Sequence, residues 1–513
     1  MSVRIHLRNL AFNWGGHAAT LVVMFFLSPY IVGKLDAVTY GIWSLLNVLT
    51  GYMGIFDLGV RASVGRHVAL YLGKKDERGV DETIRAGFGF FSLAGGLILL
   101  VGILLGWFFP ALFKGLGSEH YTTVRVLLPL MVVNVWLSAI AAIYSSVLAA
   151  HDRFDVARGV DMVVLLVRTV GTVFVLQIGW GLWGLAFTII AGNICAVIGN
   201  RIYAGRVHRG LRSFPFLYSK VRLGELFGYG IAAFISKAAI KIIGQSDLVI
   251  VGIFLSVADV REYSVGAMLV YYSATFIIII GNTFFPDIQR TVSSGSIGEV
   301  RHLFYRQLRI TLCFGLLVYI GFIFYSHAFI NLWMFQDGFD HRAVVSAAGV
   351  MTVLALSKFP TLYIHPSINV LSALGYIGFT AKLTMLEAVV NLLFSILYVK
   401  VFNSGLIGVA AGTLTARLLV STFAMPYYLC RKLSIPVIQF CRSLIIPAIV
   451  SASLLSSVCF LLLKVWSPDT WYAFASQVFI VVLLWGVIGM FLLVPDDLRQ
   501  RGKNKLIKIA NAS

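Results

Sequence analysis

The chain has 513 residues, 59% of them hydrophobic and only 12% charged, with a mean hydropathy of +0.89 and a net charge of +19. A soluble protein of this size needs far more charge to cover its surface, so a soluble enzyme or binding module is excluded and a polytopic membrane protein remains. The positive charge falls between apolar runs, and no basic patch interleaved with aromatics stands on a soluble domain, which argues against nucleic acid as a partner.

In chain order, Arg4 and Arg8 precede an apolar run over 11–33. It outlasts the core of a signal peptide and no small-residue cleavage site follows it, so it reads as a first transmembrane helix. About thirteen further spans follow, at 40–60, 86–109, 124–149, 159–179, 182–203, 226–255, 263–285, 310–333, 343–373, 379–400, 405–429, 441–464 and 471–494, each near the length that a bilayer requires. The two longest, 226–255 and 343–373, are expected to tilt, bend or protrude, and the second carries Pro360 and Pro366.

Lysine and arginine set the orientation. With a cytoplasmic N-terminus, 29 of the 41 basic residues fall on inside segments and their flanks. Only Lys34, Lys114, Arg125, Arg261, Arg342, Lys400 and Lys464 fall outside. This asymmetry puts both termini in the cytoplasm and supports an even number of spans. Every outside connection is short, which leaves no room for a separate soluble catalytic domain. The five cysteines are scattered and form no CxxC pair, so neither a disulfide framework nor a zinc site is expected.

The chain also repeats itself. Val38-Thr39-Tyr40-Gly41-Ile42 matches Arg261-Glu262-Tyr263-Ser264-Val265, and Leu148-Ala149-Ala150-His151-Asp152 matches Leu371-Ser372-Ala373-Leu374-Gly375. Gly181-Leu182-Trp183-Gly184-Leu185-Ala186 matches Gly405-Leu406-Ile407-Gly408-Val409-Ala410. The offsets are 223, 223 and 224 residues, each at the same place in the span order, so a duplication is expected. Six spans per half make it a parallel repeat, with substrate bound between halves that rock. The expected organisation is an N-terminal six-helix lobe at 1–203, a cytoplasmic linker at 204–225 and a C-terminal six-helix lobe at 226–430. Two additional helices at 441–494 and a basic cytoplasmic tail at 495–513 complete it.

Five basic residues lie near mid-span: Arg168, Lys237, Lys241, Lys358 and Arg417. The acids at comparable depth are Asp247 and Glu387. A charge at mid-bilayer costs roughly 2.5–3.5 kcal/mol on insertion scales and faces a bundle interior or a watery cavity. Five cations against two carboxylates leave a surplus that internal pairs cannot cancel, which points to a cavity that attracts anions. Taken singly, each cation also fits a structural role, snorkelling or pairing with an acid. Lys237 and Lys241, four apart, share one helical face, and Arg168 suits a phosphate through its fork of donors. Asp57 reads either as an ion pair with Arg61, four residues on, or as a gate contact at the inner mouth. Asp247 and Glu387 read either as carriers of a coupling proton or sodium ion, or as partners of the lysines. Asparagines recur within spans, suited to sugar hydroxyls or to bonds across helices. No phosphate loop, HExxH or nucleophile elbow is present, and no cofactor is expected.

Tyr40-Gly41-Ile42-Trp43, Phe56-Asp57-Leu58-Gly59-Val60, Arg66-His67-Val68-Ala69 and the repeated Gly181 and Gly405 motifs carry a resemblance. With its length, its fourteen spans and its twofold repeat, the chain resembles the polysaccharide transporter (oligosaccharide flippase) family of the MATE-like multidrug/oligosaccharidyl-lipid/polysaccharide exporter superfamily. The resemblance implies an all-α integral membrane fold of two six-helix lobes around a V-shaped cavity, plus two C-terminal helices. It also implies translocation of a polyprenyl-diphosphate-linked oligosaccharide from the cytoplasmic to the periplasmic leaflet of the inner membrane by alternating access, with membrane lipids and polysaccharide assembly proteins as partners. The arginine-rich start of the lipid II flippases is not seen. Alternatives are a MATE-type small-molecule exporter, disfavoured by the positive cavity, an integral-membrane polymerase or glycosyltransferase, disfavoured by short outside loops, and a scaffold in an assembly complex. Reporter fusions test the topology: alkaline phosphatase joined after Lys114 or Lys400 is expected to be active, and green fluorescent protein joined after Lys75 to fluoresce. Activity at both kinds of site would refute the assigned orientation.

Overall fold

The computed structural model describes residues 3–57, 59–208, 210–211, 214–217, 224, 231–334 and 339–493. Side chains of 3–15, 17–18, 62, 231–237 and 490 lie outside that description, as do the backbones of 209, 212–213, 218–223 and 225 in the expected linker and all of the expected tail.

By internal contacts the chain divides into residues 1–261 and 262–513. The first unit holds α1 (Val3–Lys34), α2 (Ala37–Met53), α3 (Val60–Gly73), α4 (Glu77–Leu112), α5 (Tyr121–Ala150), α6 (Phe154–Gln177), α7 (Gly181–Val207) and α8 (Ile231–Phe254). The second opens within α9 (Asp259–Asn282) and continues with α10 (Phe285–Ser293), α11 (Ile297–Met334), α12 (His341–Lys358), α13 (Thr361–Ala373) and α14 (Ile377–Lys400). It closes with α15 (Gly405–Ala416), α16 (Thr422–Lys432), α17 (Val437–Phe440), α18 (Ile446–Val465) and α19 (Trp471–Leu492). Arg417–Ser421, between α15 and α16, and Cys441–Ile445, between α17 and α18, are π-helical turns.

Helices lie at every one of the expected spans, although residues 226–230 fall outside the description. Ten described helical segments are long and apolar enough to cross a membrane, and the pair α12–α13, bent by 41°, makes eleven. The chain is therefore a multi-pass membrane protein, and among the described residues ten or eleven of the fourteen expected spans have full length and apolarity. The difference lies in α2, of 17 residues, in α1, whose described apolar part is Ala19–Lys34, and in α8, whose first seven side chains are undescribed. Pro360 supplies the break in the bent pair, because its ring displaces the helix ladder, while Pro366 is accommodated within α13. Along α4, Leu93, Leu97, Leu100, Leu104 and Trp107 are exposed once per turn, an apolar seam suited to lipid and not to water.

In the first unit, Val60, Val64 and Val68 of α3 pack with Ile84 and Phe88 of α4 and Ile143 and Tyr144 of α5. Helix α8 packs on α2 in the same unit. A side chain at Gly41 would overlap the Val257 carbonyl, and Gly252 faces Phe113 and Leu45. Lys114 and Val257 exchange backbone hydrogen bonds with this segment, Lys114 N–H to Gly252 O and Val257 N–H to Lys114 O. The contact boundary thus falls after α8, whereas the repeat assigns this helix to the second half. The second unit centres on α11, α13, α16 and α18, with Trp485 of α19 donating to the Cys313 carbonyl at 2.9 Å.

The repeated motifs share backbone geometry. Helix α5 ends with Arg153 N–H on Leu148 O at 2.9 Å and Asp152 at φ 59°; α13 ends with Tyr376 N–H on Leu371 O at 2.8 Å and Gly375 at φ 86°. Both are left-handed C-terminal turns, 223 residues apart. Helices α14 and α15 meet at Gly412, where a Cβ would stand 2.5 Å from the Ser395 nitrogen and 2.6 Å from its Cα. Since backbone cannot give way there, Gly412→Ala is expected to cost about 1–3 kcal/mol and lower the melting temperature in detergent. Gly378→Ala, where a Cβ meets open space, is expected not to.

Candidate functional site

Within the first unit, α2, α5, α6, α7 and α8 enclose a cavity of about 510 Å³. Its described walls carry Arg61, Arg168 and Lys241, with Asp57 as the one carboxylate among them, and the polar side chains Asn47, Thr50, Asn134, Ser138 and Asn193. A smaller hollow of about 360 Å³ shares Asp57 and Arg61 with it, so the two meet at this pair.

Arg168 leaves the middle of α6 toward α7, where Gly192 makes room for it: a Cβ there would lie 2.9 Å from Arg168 Cγ and Nε. One terminal nitrogen of its guanidinium, Nη2, donates to Asn193 Oδ1 at 2.8 Å. Asn193 in turn donates from Nδ2 to Asn134 Oδ1 at 2.6 Å and to the Asn134 carbonyl at 3.2 Å. Asn134 therefore sets the orientation of the Asn193 amide, and Asn193 sets that of the guanidinium. Among the described residues Arg168 Nε has no acceptor and lies buried against Gly192.

Lys241 reaches the cavity across α2. An added Cβ at Gly51 would be 3.1 Å from Lys241 Nζ and 2.8 Å from Gln245 Oε1, so the ammonium lies directly over this bare stretch of helix. Among the described residues, neither Lys241 nor Arg168 has a carboxylate within ion-pair distance. Asp57 and Arg61 nearly cancel: the Arg61 backbone N–H donates to Asp57 Oδ1 at 2.8 Å and its Nε stands 3.9 Å from Oδ2. Asp57 therefore holds the start of α3 as a cap and pair, at the junction of the two hollows. Two uncompensated cations remain in the cavity, which favours a ligand carrying at least two negative charges.

The other expected residues are placed differently. In the second unit, Arg417 Nε donates to Glu387 Oε1 at 2.8 Å, Nη2 lies 2.6 Å from the same oxygen, and Nη1 donates to Thr361 Oγ1 at 2.5 Å. Ser421 donates to the other carboxylate oxygen. The expected binding cation and the expected coupling carboxylate are thus partners that neutralise each other, which takes one of each from the surplus read in the sequence. Lys358 is buried with Nζ 4.7 Å from the centre of the Tyr271 ring. Asp247 is buried on α8 beside Tyr52 of α2. The side chain of Lys237 lies outside the described residues. Asparagines serve as bonds across helices: besides Asn193–Asn134, Asn391 donates to Thr413 at 2.7 Å and Asn369 to Asn282 at 3.2 Å. Arg61 and Gly51 were not singled out as cavity residues. Arg61 reads in sequence as a membrane-flanking cation, and Gly51 carries no chemistry of its own.

Comparison with known proteins gives a consistent result. A family model described as polysaccharide biosynthesis protein matches residues 6–292. A Shigella flexneri protein whose name proposes an O-antigen transporter is 22% identical over 418 residues, covering 79% of this chain and 93% of that protein. Among solved structures, the lipid II flippase MurJ in an inward closed conformation is similar with a TM-score of 0.65 at 15% identity, covering 93% of this chain and 98% of that one. An inward-facing multidrug resistance MATE family transporter of the MOP superfamily is similar with a TM-score of 0.65 at 13% identity, covering 80% and 94%. The fold is MATE- and MurJ-like, and these relatives are transporters rather than enzymes.

The relay through Asn193 has a measurable consequence. Asn134→Ala removes no charge but releases the amide that positions Arg168. It is expected to weaken binding of inorganic diphosphate to the purified protein by about 3- to 10-fold, the worth of one hydrogen bond, as read by calorimetry.

Proposed function

The chain belongs to the polysaccharide biosynthesis protein family, and from that premise we propose that it is a flippase for a polyprenyl-diphosphate-linked oligosaccharide, such as an O-antigen, capsule or exopolysaccharide repeat unit. The observation that carries the reading is the pair of uncompensated cations, Lys241 and Arg168, in one polar cavity. A diphosphate is the part of such a lipid that hydrocarbon opposes most strongly, and two fixed cations replace part of its lost hydration. Asn47, Ser138 and Thr50 add polar lining suited to the first sugar. The Asp57–Arg61 pair, at the junction of two hollows, is the inner gate in this reading.

The substrate moves from the cytoplasmic to the periplasmic leaflet of the inner membrane by alternating access. Fourteen spans, with lobes at 1–203 and 226–430 joined by 204–225 and two helices appended at 441–494, fit the helix order and the shared turns 223 residues apart. Both termini, and with them the 495–513 tail, are cytoplasmic by the charge asymmetry. Asp247 and Glu387 are the candidate coupling carboxylates for a proton or sodium ion in this reading, the second engaged by Arg417 and Ser421. The likeness to MATE transporters raises a cation exporter as the competing reading, and the cavity's positive charge opposes it.

The test is flipping of a short diphosphate-linked glycolipid in proteoliposomes. Lys241→Ala and Arg168→Ala are each expected to lower the rate by about tenfold or more, the loss of one charge-assisted contact. Lys241→Arg is expected to retain most of the rate, and Arg168→Lys to lose it, because a lysine lacks the fork that meets Asn193 and phosphate together. Unchanged rates in folded Lys241→Ala and Arg168→Ala proteins would refute the assignment of the diphosphate to this cavity.

A further inference from the structure

The second unit carries a different kind of hollow, of about 600 Å³, between α16 with its preceding π turn and α17 with the π turn that follows it. Leu419, Phe423 and Tyr427 form one wall, and Val437, Cys441 and Ile445 the other. A π turn inserts an extra residue into the helical ladder and spreads the side chains on that face. With one such turn in each wall, the two helices do not close on each other. The rim faces outward: Phe423 is 76% exposed, Tyr427 61% and Ile438, beside the groove, 82%. This is an apolar groove open to lipid, sharing no residue with the first unit's cavity.

Its mouth is basic. Phe423, Tyr427 and Arg431 follow one another at four-residue intervals, so Arg431 continues the exposed stripe one turn beyond the groove. Arg442 is exposed on the opposite segment, four residues after Ile438. Among the described residues neither arginine has a carboxylate within ion-pair distance. The neighbouring cations are occupied: Lys432 lies 4.3 Å over the Tyr376 ring and 5.4 Å over Tyr428, and Arg301 donates to the Leu433 carbonyl at 2.6 Å, holding the turn between the walls.

An apolar chain-sized groove with one unpaired arginine continuing one wall and another within the chain segment of the opposite wall is complementary to a lipid with a negative headgroup. We propose that it binds an anionic phospholipid, one acyl chain lying along Phe423 and Tyr427 and the phosphate on Arg431 and Arg442. The site is separate from the transport cavity and stands whatever the cargo is.

The purified protein in neutral detergent is melted with phosphatidylglycerol, with phosphatidylcholine of the same chains, with inorganic phosphate, and with a polyprenyl monophosphate. Phosphatidylglycerol is expected to raise the melting temperature of the wild type by several degrees more than phosphatidylcholine. Arg431→Gln/Arg442→Gln abolishes that difference, and phosphatidylglycerol retained in native mass spectra falls about 30-fold, as for two interfacial cations. Lys74→Gln/Arg201→Gln, which removes the same charge from exposed positions of the first unit, keeps it. Tyr427→Ser, which thins the groove and leaves both arginines, lowers retention of phosphatidylglycerol and phosphatidylcholine alike. Equal stabilisation by the two phospholipids, equal loss in the Lys74/Arg201 variant, or the full shift with inorganic phosphate alone would overturn the proposal. So would an Arg431- and Arg442-dependent shift produced by the polyprenyl monophosphate and not by phosphatidylglycerol.

Discussion

A cation held among helices that face hydrocarbon has to be offset from within the protein, because the bilayer core offers it nothing. The two units meet that constraint in opposite ways. In the second, Arg417 is closed into a network with Glu387, Thr361 and Ser421, so charge and hydrogen-bonding capacity are both used up. A buried pair of this kind is strongly destabilised when one partner is lost, which makes it part of the framework. In the first, Arg168 has an amide and Lys241 no carboxylate, so the offset has to come from whatever occupies the cavity.

The internal repeat shows how this asymmetry is built. At an offset of 223, Arg168 on α6 corresponds to Asn391 on α14; at 224, Asn193 on α7 corresponds to Arg417 after α15. Arginine and asparagine have exchanged helices between the two hairpins. Glu387, which neutralises Arg417, corresponds at 223 to Val164, so the first hairpin has no carboxylate at that place. Gly171 meets Thr188 in the first hairpin, and Gly412 meets Ser395 in the second. The first hairpin thus carries a cation and the second a neutral pair, on helices of the same order.

Much of the fold was legible in the chain itself. Apolar run length marked the helices, Pro360 marked the break in the bent pair, and the motif repeats marked turns of matching geometry. Run length overstated how many helices have full spanning length, since α2 is only 17 residues long. The allegiance of α8 was not legible. It depends on Gly41 and Gly252, which let backbones approach through the absence of a side chain, and absence has no periodicity to read. The site was half legible: Arg168 and Lys241 stood out by charge at depth. Gly51, which admits the ammonium, and Asn134, which aims Arg168 through Asn193, did not.

What the sequence determined by itself is a helical, multi-pass membrane chain bearing more cations than acids among its apolar runs. These follow from composition, period and charge counts, which are properties of the chain read locally. What only the tertiary structure decided is which of those cations stays uncompensated. Arg417 and Glu387 are thirty residues apart, and Arg168 and Asn193 twenty-five, so either arginine reads alike in sequence. A partner is a matter of a few ångströms between helices. In low dielectric, that short distance separates a structural pair from a cation with no carboxylate beside it.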